Sequence, residues 1–539
     1  MNATQVSTSR PNIIFIMSDD HASHAISAYT KPDPMRPVIN ETPNIDRIAD
    51  GGMRFENCFC TNSICTPSRA VILTGKYSHH PLNNVKTFLP MDNSLPTVAK
   101  DLQAAGYQTA MIGKWHLGTG PTHCPTGFDY WKVLPGQGAY HNPVFIEMDA
   151  GIPGGRRVKE DGYVTDLITD DALEWLEHRD MSKPFFLMVH HKAPHRPWKP
   201  DEKHADMYDD VDIPIPSTFD DDYTSSRARR NARMRIDRDF DSEDVKVLPP
   251  IGVGFKERLK VPDESELDDY ALEPYDPLDE GREFDQVTFS SLEERKRWLY
   301  QRYIKDYLRV IASIDDNVGR LLDYLDREGL AGNTIVMYTS DQGFFLGDHG
   351  WYDKRFMYEE SLRMPLLVRY PAEVEPGTVN SDLVLNLDFA PTWLDLAGEA
   401  VPVEMQGTSF RAILQGNTPP SWRTSMYYRY WLDRDGAHDT TAHYGIRTVG
   451  PTRKAMKLIY YYADPLGIAD AGRGPVFLPE GEKVLEHVKE WECFDLNEDP
   501  YEMDNIYLDP ERTSEIENLK QEMHELQEMF GDDRYHDEV

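Results

Sequence analysis

Cys65, Pro67 and Arg69 combine the chemistry of a nucleophile with that of an anion site. They lie in residues 65–70 (CTPSRA), and the apolar run 71–73 (VIL) follows. Pro67 suits the first turn of a helix, where its missing N–H costs nothing. Cys65 would then lie at a helix N-terminus, which favours an anion, with Arg69 one turn further along. The hexapeptide alone predicts either a site for a tetrahedral oxyanion or a buried structural cysteine.

Carboxylate and amide side chains follow two apolar runs elsewhere in the chain. They are Asp19 and Asp20 after the run 11–17, and Asp341 and Gln342 after the run 334–339. Such runs are typical of strands buried on both faces of a parallel sheet, and open α/β sheets bind ligands at the carboxyl ends of their strands. Because adjacent carboxylates repel each other, a hard metal ion is the natural partner. The alternative is an acidic turn after each strand.

Lysine and histidine side chains follow two further apolar runs. Lys114 and His116 come after the run 107–112 between two glycines, which is typical of an anion site or of an ordinary surface turn. The run 185–189 leads into a loop with three histidines, a number that could bind zinc. Two of these histidines are adjacent and would point in opposite directions on an extended strand. We therefore favour the third, His195, as an acid/base or anion-contacting residue.

The four polar clusters are more informative as a set than singly. If their strands are parallel neighbours in one sheet, all four clusters lie at the same edge of that sheet, beside Cys65. That edge would hold oxygen ligands for a cation, cations for an anion, histidines for proton transfer and one nucleophile. This set indicates hydrolysis or transfer of a sulfate or phosphate ester.

The order of the predicted elements indicates an α/β fold with a large mixed, mostly parallel sheet flanked by helices. Its helices include a long amphipathic one over 292–330. We expect an N-terminal catalytic domain over 1–415, with 205–290 as a surface insertion. Short aromatic strands followed by an amphipathic helix predict a smaller C-terminal domain over 416–539, with a short antiparallel sheet and a helix.

Composition limits the partners of the chain. Its 539 residues carry 57 basic and 92 acidic side chains, a net charge of −35. This balance argues against nucleic acid as a partner, and it requires a local basic pocket for any anionic substrate. No apolar stretch is long enough to span a membrane. Residues 1–10 lack the apolar core of a signal peptide, so we expect a cytoplasmic protein, or a periplasmic or secreted one if the N-terminus was trimmed. The oligomeric state is not predicted.

The chain resembles the type I sulfatases of the alkaline phosphatase superfamily. Residues 65–69 match that family's Cys-x-Pro-x-Arg signature, and residues 113–118 (GKWHLG) match its second signature. Residues 11–20 and 340–343 match its metal motifs. The resemblance implies that a formylglycine-generating maturation enzyme oxidises Cys65 to formylglycine. A hydrated aldehyde has one hydroxyl to attack sulfur and a second whose deprotonation lets the carbon expel sulfate.

The resemblance also implies roles for the remaining side chains. The implied Ca²⁺ ligands are Asp19, Asp20, Asp341 and Gln342, the last at a position where many relatives have Asn. Arg69 would hold the formylglycine, and Lys114 and Lys354 would neutralise sulfate oxygens. His116 would take the proton of the second hydroxyl, and His195 would protonate the leaving alcohol.

The substrate is predicted from a narrower resemblance. Residues 194–198 and 350–360 look most similar to carbohydrate sulfatases, including N-acetylglucosamine-6-sulfatases, which implies a sulfated mono- or oligosaccharide. His443 and Arg447 would grip the sugar, or else they are ordinary strand residues. The alternatives are a phosphonate or phosphate ester hydrolase of the same superfamily and a non-catalytic protein that binds sulfated glycans.

Overall fold

We describe the fold from a computed structural model of the chain. It describes residues 10–33, 37–249, 254, 258–278, 284–433, 438–450, 453–462 and 489–532. Among the helices in these ranges, none has the length and apolar character needed to cross a membrane.

A ten-stranded mixed sheet forms the centre of the molecule. In chain order its strands are β1 Asn12–Ser18, β2 Met53–Phe55, β3 Gln108–Lys114, β4 Tyr130–Leu134, β5 Val144–Glu147, β6 Arg156–Lys159, β7 Phe185–His190, β8 Thr334–Ser340, β9 Leu366–Arg369 and β10 Thr378–Asn380. Their order across the sheet is β10-β2-β9-β8-β1-β7-β3-β4-β5-β6. The five strands from β8 to β4 in that order are parallel. This confirms the predicted sheet class.

Helices cover both faces of this sheet. The main ones are α1 Pro43–Asp50, α2 Cys65–Thr74, α3 Val98–Ala104, α4 Val164–His178, α5 Leu292–Arg327, α6 Phe389–Leu396 and α7 Thr513–Phe530. Along β1, Ile13 and Phe15 pack into the apolar core with α2, α3 and α6, whereas Ile14 and Ile16 pack into the core with α1, α4 and α5. Successive strand residues point to opposite faces, so a strand covered on both sides is apolar throughout.

A four-stranded antiparallel sheet follows in the C-terminal part. Its strands are β11 Ser425–Tyr430, β12 His443–Thr448, β13 Met456–Tyr461 and β14 Glu490–Asp495, in chain order. Helix α7 packs on this sheet, and the sheet itself joins the core that contains α2. The predicted small sheet and helix are therefore confirmed, while the domain boundary at 415 stays a prediction.

The segment 205–290 differs from the predicted surface insertion. Its described part buries apolar side chains in the core beside α5, including Ile236, Phe240 and Val245. Its short α-helix Arg227–Asn231 is not a solvated face, because Arg229 is fully buried and pairs with Asp221 at 2.9 Å. The high charge of the segment led to the prediction of a surface location. In the structure, charges of the segment pair with one another, for example Arg229 with Asp221 and Arg235 with Asp237, and this lets the segment pack into the core.

Candidate active site

The predicted catalytic and metal-ligating residues meet at the carboxyl edge of four neighbouring strands, β8, β1, β7 and β3. The side chains on this edge or beside it are Asp19, Asp20, Lys114, His116, His195, Asp341 and Gln342, joined by Cys65 and Arg69 from α2 and by Lys354 from a loop. The parallel pairing expected from the sequence is thus what brings these side chains together.

Cys65 is the first residue of α2, as the sequence predicts. Its Sγ lies 3.2 Å from Oδ1 of Asp19 and 3.4 Å from Nζ of Lys354. The side chain is 2% exposed, and burial raises the pKa of the thiol. An unmodified Cys65 is therefore held as a thiol, which is a weak nucleophile.

Three buried carboxylates surround Cys65. Ligand atoms of Asp19, Asp20, Asp341 and Cys65 all lie within 4.8 Å of one another. The amide nitrogen of Gln342 donates to Asp20, and to Oδ1 of Asp341 at 2.6 Å. Burial raises the pKa of Asp20 to about 6, because a carboxylate without water is costly.

This cluster fits a hard cation such as Ca²⁺. Oδ and Oε atoms are the ligands that Ca²⁺ prefers, and three carboxylates supply the opposing charge. Oε1 of Gln342 is buried and has no hydrogen-bond partner among the described residues. Since the nitrogen and oxygen of an amide are exchanged by a flip about its last bond, the same side chain can turn Oε1 toward the carboxylates.

Arg69 and Lys114 place positive charge next to the carboxylates of Asp341 and Asp19. Nε of Arg69 lies 3.0 Å from Oδ2 of Asp341, and its Nη1 donates to the Lys114 carbonyl at 2.6 Å. The Lys114 ammonium pairs with Asp19 and also contacts Gln137. Gly113 precedes it with a φ of +100°, and a Cβ there would come within 2.0 Å of the His190 carbonyl oxygen. Only glycine allows β3 and β7 to approach this closely.

The two histidines predicted to transfer protons lie on different sides of the site. Nδ1 of His116 is 3.4 Å from the hydroxyl of Thr66, the residue after Cys65. Nε2 of His195 is 3.8 Å from Oδ2 of Asp20, and its Nδ1 lies 2.7 Å from the Arg196 carbonyl. Burial lowers the pKa of both imidazoles, and the nearby lysines lower it further, so both rings are neutral.

Comparison with known proteins decides the family. The family described as Sulfatase matches residues 11–399. The chain belongs to the sulfatase family. It is a sulfuric ester hydrolase, as the resemblance implied. The family described as N-sulphoglucosamine sulphohydrolase, C-terminal, matches residues 347–470 of this sulfatase.

Individual relatives agree with this assignment. An N-acetylglucosamine-6-O-sulfatase of Bacteroides thetaiotaomicron is 40% identical, over 98% of this chain and 88% of its own length. A solved relative in complex with its substrate D-glucosamine-2-N,6-O-disulfate is 38% identical, with a TM-score of 0.80, and covers 98% of this chain and 100% of that chain. A phosphonate monoester hydrolase of Agrobacterium radiobacter is 18% identical, with a TM-score of 0.63 over 97% of this chain and 96% of that chain, and shows the fold alone.

The loop that carries Lys354 contains site residues that the sequence analysis missed. The Lys354 ammonium pairs with Asp20. Burial lowers the pKa of this lysine, but the negative charges around it, Asp20 above all, raise it by more, so the net shift is upward. Its neighbours Asp353 and Arg355 have φ values of 80° and 94°, a backbone region that costs energy for residues other than glycine. Asp353 pairs with Arg355, and with Nε2 of His438 at 3.1 Å. The strained backbone and the buried charges of this loop mark it as part of the site. Neither backbone strain nor burial can be read from a single sequence.

The structure does not support the predicted sugar contacts of His443 and Arg447. His443 is fully buried and stacks between aromatic rings, which include Phe356 and Tyr430. Arg447 is 3% exposed, and its Nε pairs with Oε1 of Glu359 at 3.0 Å. Because Glu359 neutralises the guanidinium of Arg447, that charge is not available to bind the substrate. Both residues instead attach the small antiparallel sheet to the segment that contains Phe356 and Glu359.

The zinc alternative for the histidine loop also fails. His190 contacts the Lys114 carbonyl at 3.2 Å, and His191 is fully buried. Within the described residues, only His195 of the three belongs to a cluster able to hold a metal ion.

Proposed function

We propose that this sulfatase hydrolyses the 6-O-sulfate of a glucosamine-type sugar. The observation that carries the proposal is the position of Cys65, whose Sγ lies between Asp19 at 3.2 Å and the Lys354 ammonium at 3.4 Å. A nucleophile at this place faces both a cation site and a positive charge for sulfate. The named substrates of the relatives that are 40% and 38% identical supply the sugar and the position of the ester.

We propose that Cys65 is converted to formylglycine by a maturation enzyme, and that Ca²⁺ binds Asp19, Asp20, Asp341 and Gln342. The hydrated aldehyde at position 65 would supply a hydroxyl nucleophile, and a cation held by these four side chains would supply Lewis-acid polarisation of the sulfate. The Cys-x-Pro-x-Arg signature and the buried oxygen cluster support both assignments.

The cationic side chains of the site orient and neutralise the sulfate. Lys354 pairs with Asp20 and Lys114 pairs with Asp19, and both ammonium groups can donate to sulfate oxygens as negative charge grows on them. Arg69 fixes α2 against Asp341, which sets the direction in which the side chain of residue 65 points. These donors are already in place before the substrate binds, so the protein need not reorganise during the reaction.

His116 and His195 serve two different proton transfers in the reaction. His116 lies beside Thr66 as a neutral imidazole, so it can accept the proton whose loss releases sulfate. His195 lies on the far side of Asp20 and lines an open cavity, where the sugar oxygen leaves. An alkoxide is a poor leaving group, so a sugar ester needs a proton donor at this point. His195 is neutral before the substrate binds, and the negative charge of the bound sulfate favours its protonation.

Hydrolysis of defined esters tests the proposal. The chain, produced together with a maturation enzyme and supplied with Ca²⁺, should release sulfate from N-acetylglucosamine 6-sulfate at least about 100-fold faster, as kcat/KM, than from its 3-sulfate. Mass spectrometry of the peptide with residue 65 should show the aldehyde, and Cys65→Ala should be inactive. Faster cleavage of an aryl phosphonate than of any sulfate ester would instead make the chain a phosphonate hydrolase.

A further inference from the structure

A cavity of about 600 Å³ opens beside His195. Its walls come from the loop 137–141 between β4 and β5, from the loop after β7, and from residues 241–244 and 277 of the inserted segment. This volume is typical of sites for small ligands. Gln137 lines the cavity and also contacts the Lys114 ammonium, so the cavity continues from the catalytic centre.

Most charges in the cavity wall neutralise one another. Arg196 makes a two-point contact with Asp244 and lies 3.3 Å from Asp241. Lys199 pairs with Glu243 at 2.9 Å. These pairs leave little net charge to attract or repel a ligand.

Lys192 is different, because no carboxylate pairs with it in the described part of the chain. Its ammonium donates to the Arg196 carbonyl at 3.2 Å and lies 4.6 Å from the centre of the Tyr140 ring. The residue is 1% exposed, and burial lowers its pKa to about 7. The Asp20 carboxylate acts on Lys192 only from a distance and offsets part of the cost of burial. An ammonium whose hydrogen-bond partner is neutral is costly to bury, and an anion beside it would offset more of that cost.

We propose that Lys192 binds a second anionic group of the substrate, next to the sulfate ester that is hydrolysed. The proposal rests on the function proposed above and specifies its substrate as a sugar with at least two negative charges. The second group is a sulfate on the same sugar or the carboxylate of an adjoining uronic acid, since both present oxygens to an ammonium. On a chain of net charge −35, such a local cation is what allows a doubly charged ligand to bind.

Binding to an inactive variant tests this without any hydrolysis. Calorimetry would use Cys65→Ser in Ca²⁺ buffer with three probes, which are N-acetylglucosamine 6-sulfate, glucosamine N,6-disulfate, and a disaccharide of uronic acid and N-acetylglucosamine 6-sulfate. One of the two doubly charged probes should bind about 10- to 100-fold more tightly than the first, the gain expected of a charge-assisted hydrogen bond. Which probe gains identifies the second group.

Lys192→Met in the same background should reduce this preference to within about twofold, and Lys192→Arg should restore most of it. Lys199→Met is the matched control, because Lys199 lines the same cavity but is neutralised by Glu243. The preference of this variant for the doubly charged probe should stay within about twofold of that of the parent. Equal affinity of the parent for all three probes would overturn the proposal without use of any Lys192 variant.

The two proposals fail in different ways. If the matured enzyme releases 6-sulfate but neither doubly charged probe is preferred, the role of Lys192 is wrong and the activity stands. If none of the three probes binds, although the matured enzyme cleaves another ester, the function itself is wrong and the role of Lys192 falls with it.

Discussion

Arg69 lies with Nε and Nη2 each 3.0 Å from Oδ2 of Asp341, and this contact joins the start of α2 to the end of β8. Both side chains are buried, with exposed fractions of 2% and 0%. The pair fixes the residue that carries the nucleophile against a residue of the proposed cation site. Loss of one partner would leave a buried charge without compensation.

The first prediction concerns this pair. Measured without added cation, Arg69→Met should lower the free energy of unfolding by about 3–5 kcal/mol, because the buried Asp341 carboxylate loses its ion-pair partner. The denaturant midpoint measures the change. Arg297→Met is the control, since Arg297 pairs with Glu293 on the surface and should lose less than about 1 kcal/mol. Equal shifts in the two variants would contradict the structural role of Arg69.

The second prediction separates the two histidines by leaving group. His195→Ala should lower kcat on a sugar 6-sulfate by about 10²- to 10⁴-fold, because the alkoxide then leaves without a proton. The same variant should lose less than about tenfold on 4-nitrophenyl sulfate, whose phenolate leaves unaided. His116→Ala should slow both substrates alike. A His195→Ala enzyme that keeps full activity on the sugar ester would rule out the proton-donor role.

The third prediction concerns removal of the cation. A chelator should lower the melting temperature, and added Ca²⁺ should restore it, since binding to the folded state alone stabilises that state. Asp20→Asn should respond much less, because it removes one of three carboxylates from the cluster. Differential scanning calorimetry measures this without an assay of activity. An equal response of the two proteins to Ca²⁺ would place the ion elsewhere.

The fourth prediction tests the structural role of His443. Burial lowers its pKa to about 4, whereas the unfolded chain has a value near 6.5. The unfolded state therefore binds the proton first, so this contribution to stability is complete above pH 6.5 and falls as the pH drops toward 4, by about 3 kcal/mol in all.

His443→Phe should remove this contribution. The melting temperature of the variant should fall less than that of the parent between pH 7 and pH 5, while KM for the sugar stays within about twofold. His178→Gln, on an exposed helix end, should follow the parent curve. A large rise in KM for His443→Phe would revive the sugar contact that the burial of this residue argues against.

The central strands and the residues at their ends could be predicted from sequence, because β1, β7 and β8 are apolar runs covered on both faces. Strand β14 escaped prediction because Glu490, Glu492 and Asp495 give it the composition of a loop. The edge strand β6 carries exposed polar residues and lacks the apolar signal that marks the centre of the sheet. A pattern of apolar residues thus finds strands that bury apolar side chains, and it misses strands that bury charged ones or are exposed.

The errors at the site have a common cause. A single sequence shows which side chains carry charge but not which ones neutralise each other. The sequence analysis assigned Arg447 to the substrate, whereas the structure pairs it with Glu359. The pairing of charges over long sequence separations is a tertiary property, and periodicity carries no information about it.

The burial of α2 also fixes an order of events in the cell. Every residue from Cys65 to Thr74 is buried, so a second enzyme cannot hold this segment once the chain has folded. The proposed oxidation of Cys65 must therefore take place while the segment is still extended, during or soon after synthesis. If the proposed modification is required, a copy that folds first keeps its thiol and stays inactive, so the active fraction of a preparation would depend on whether modification or folding is faster.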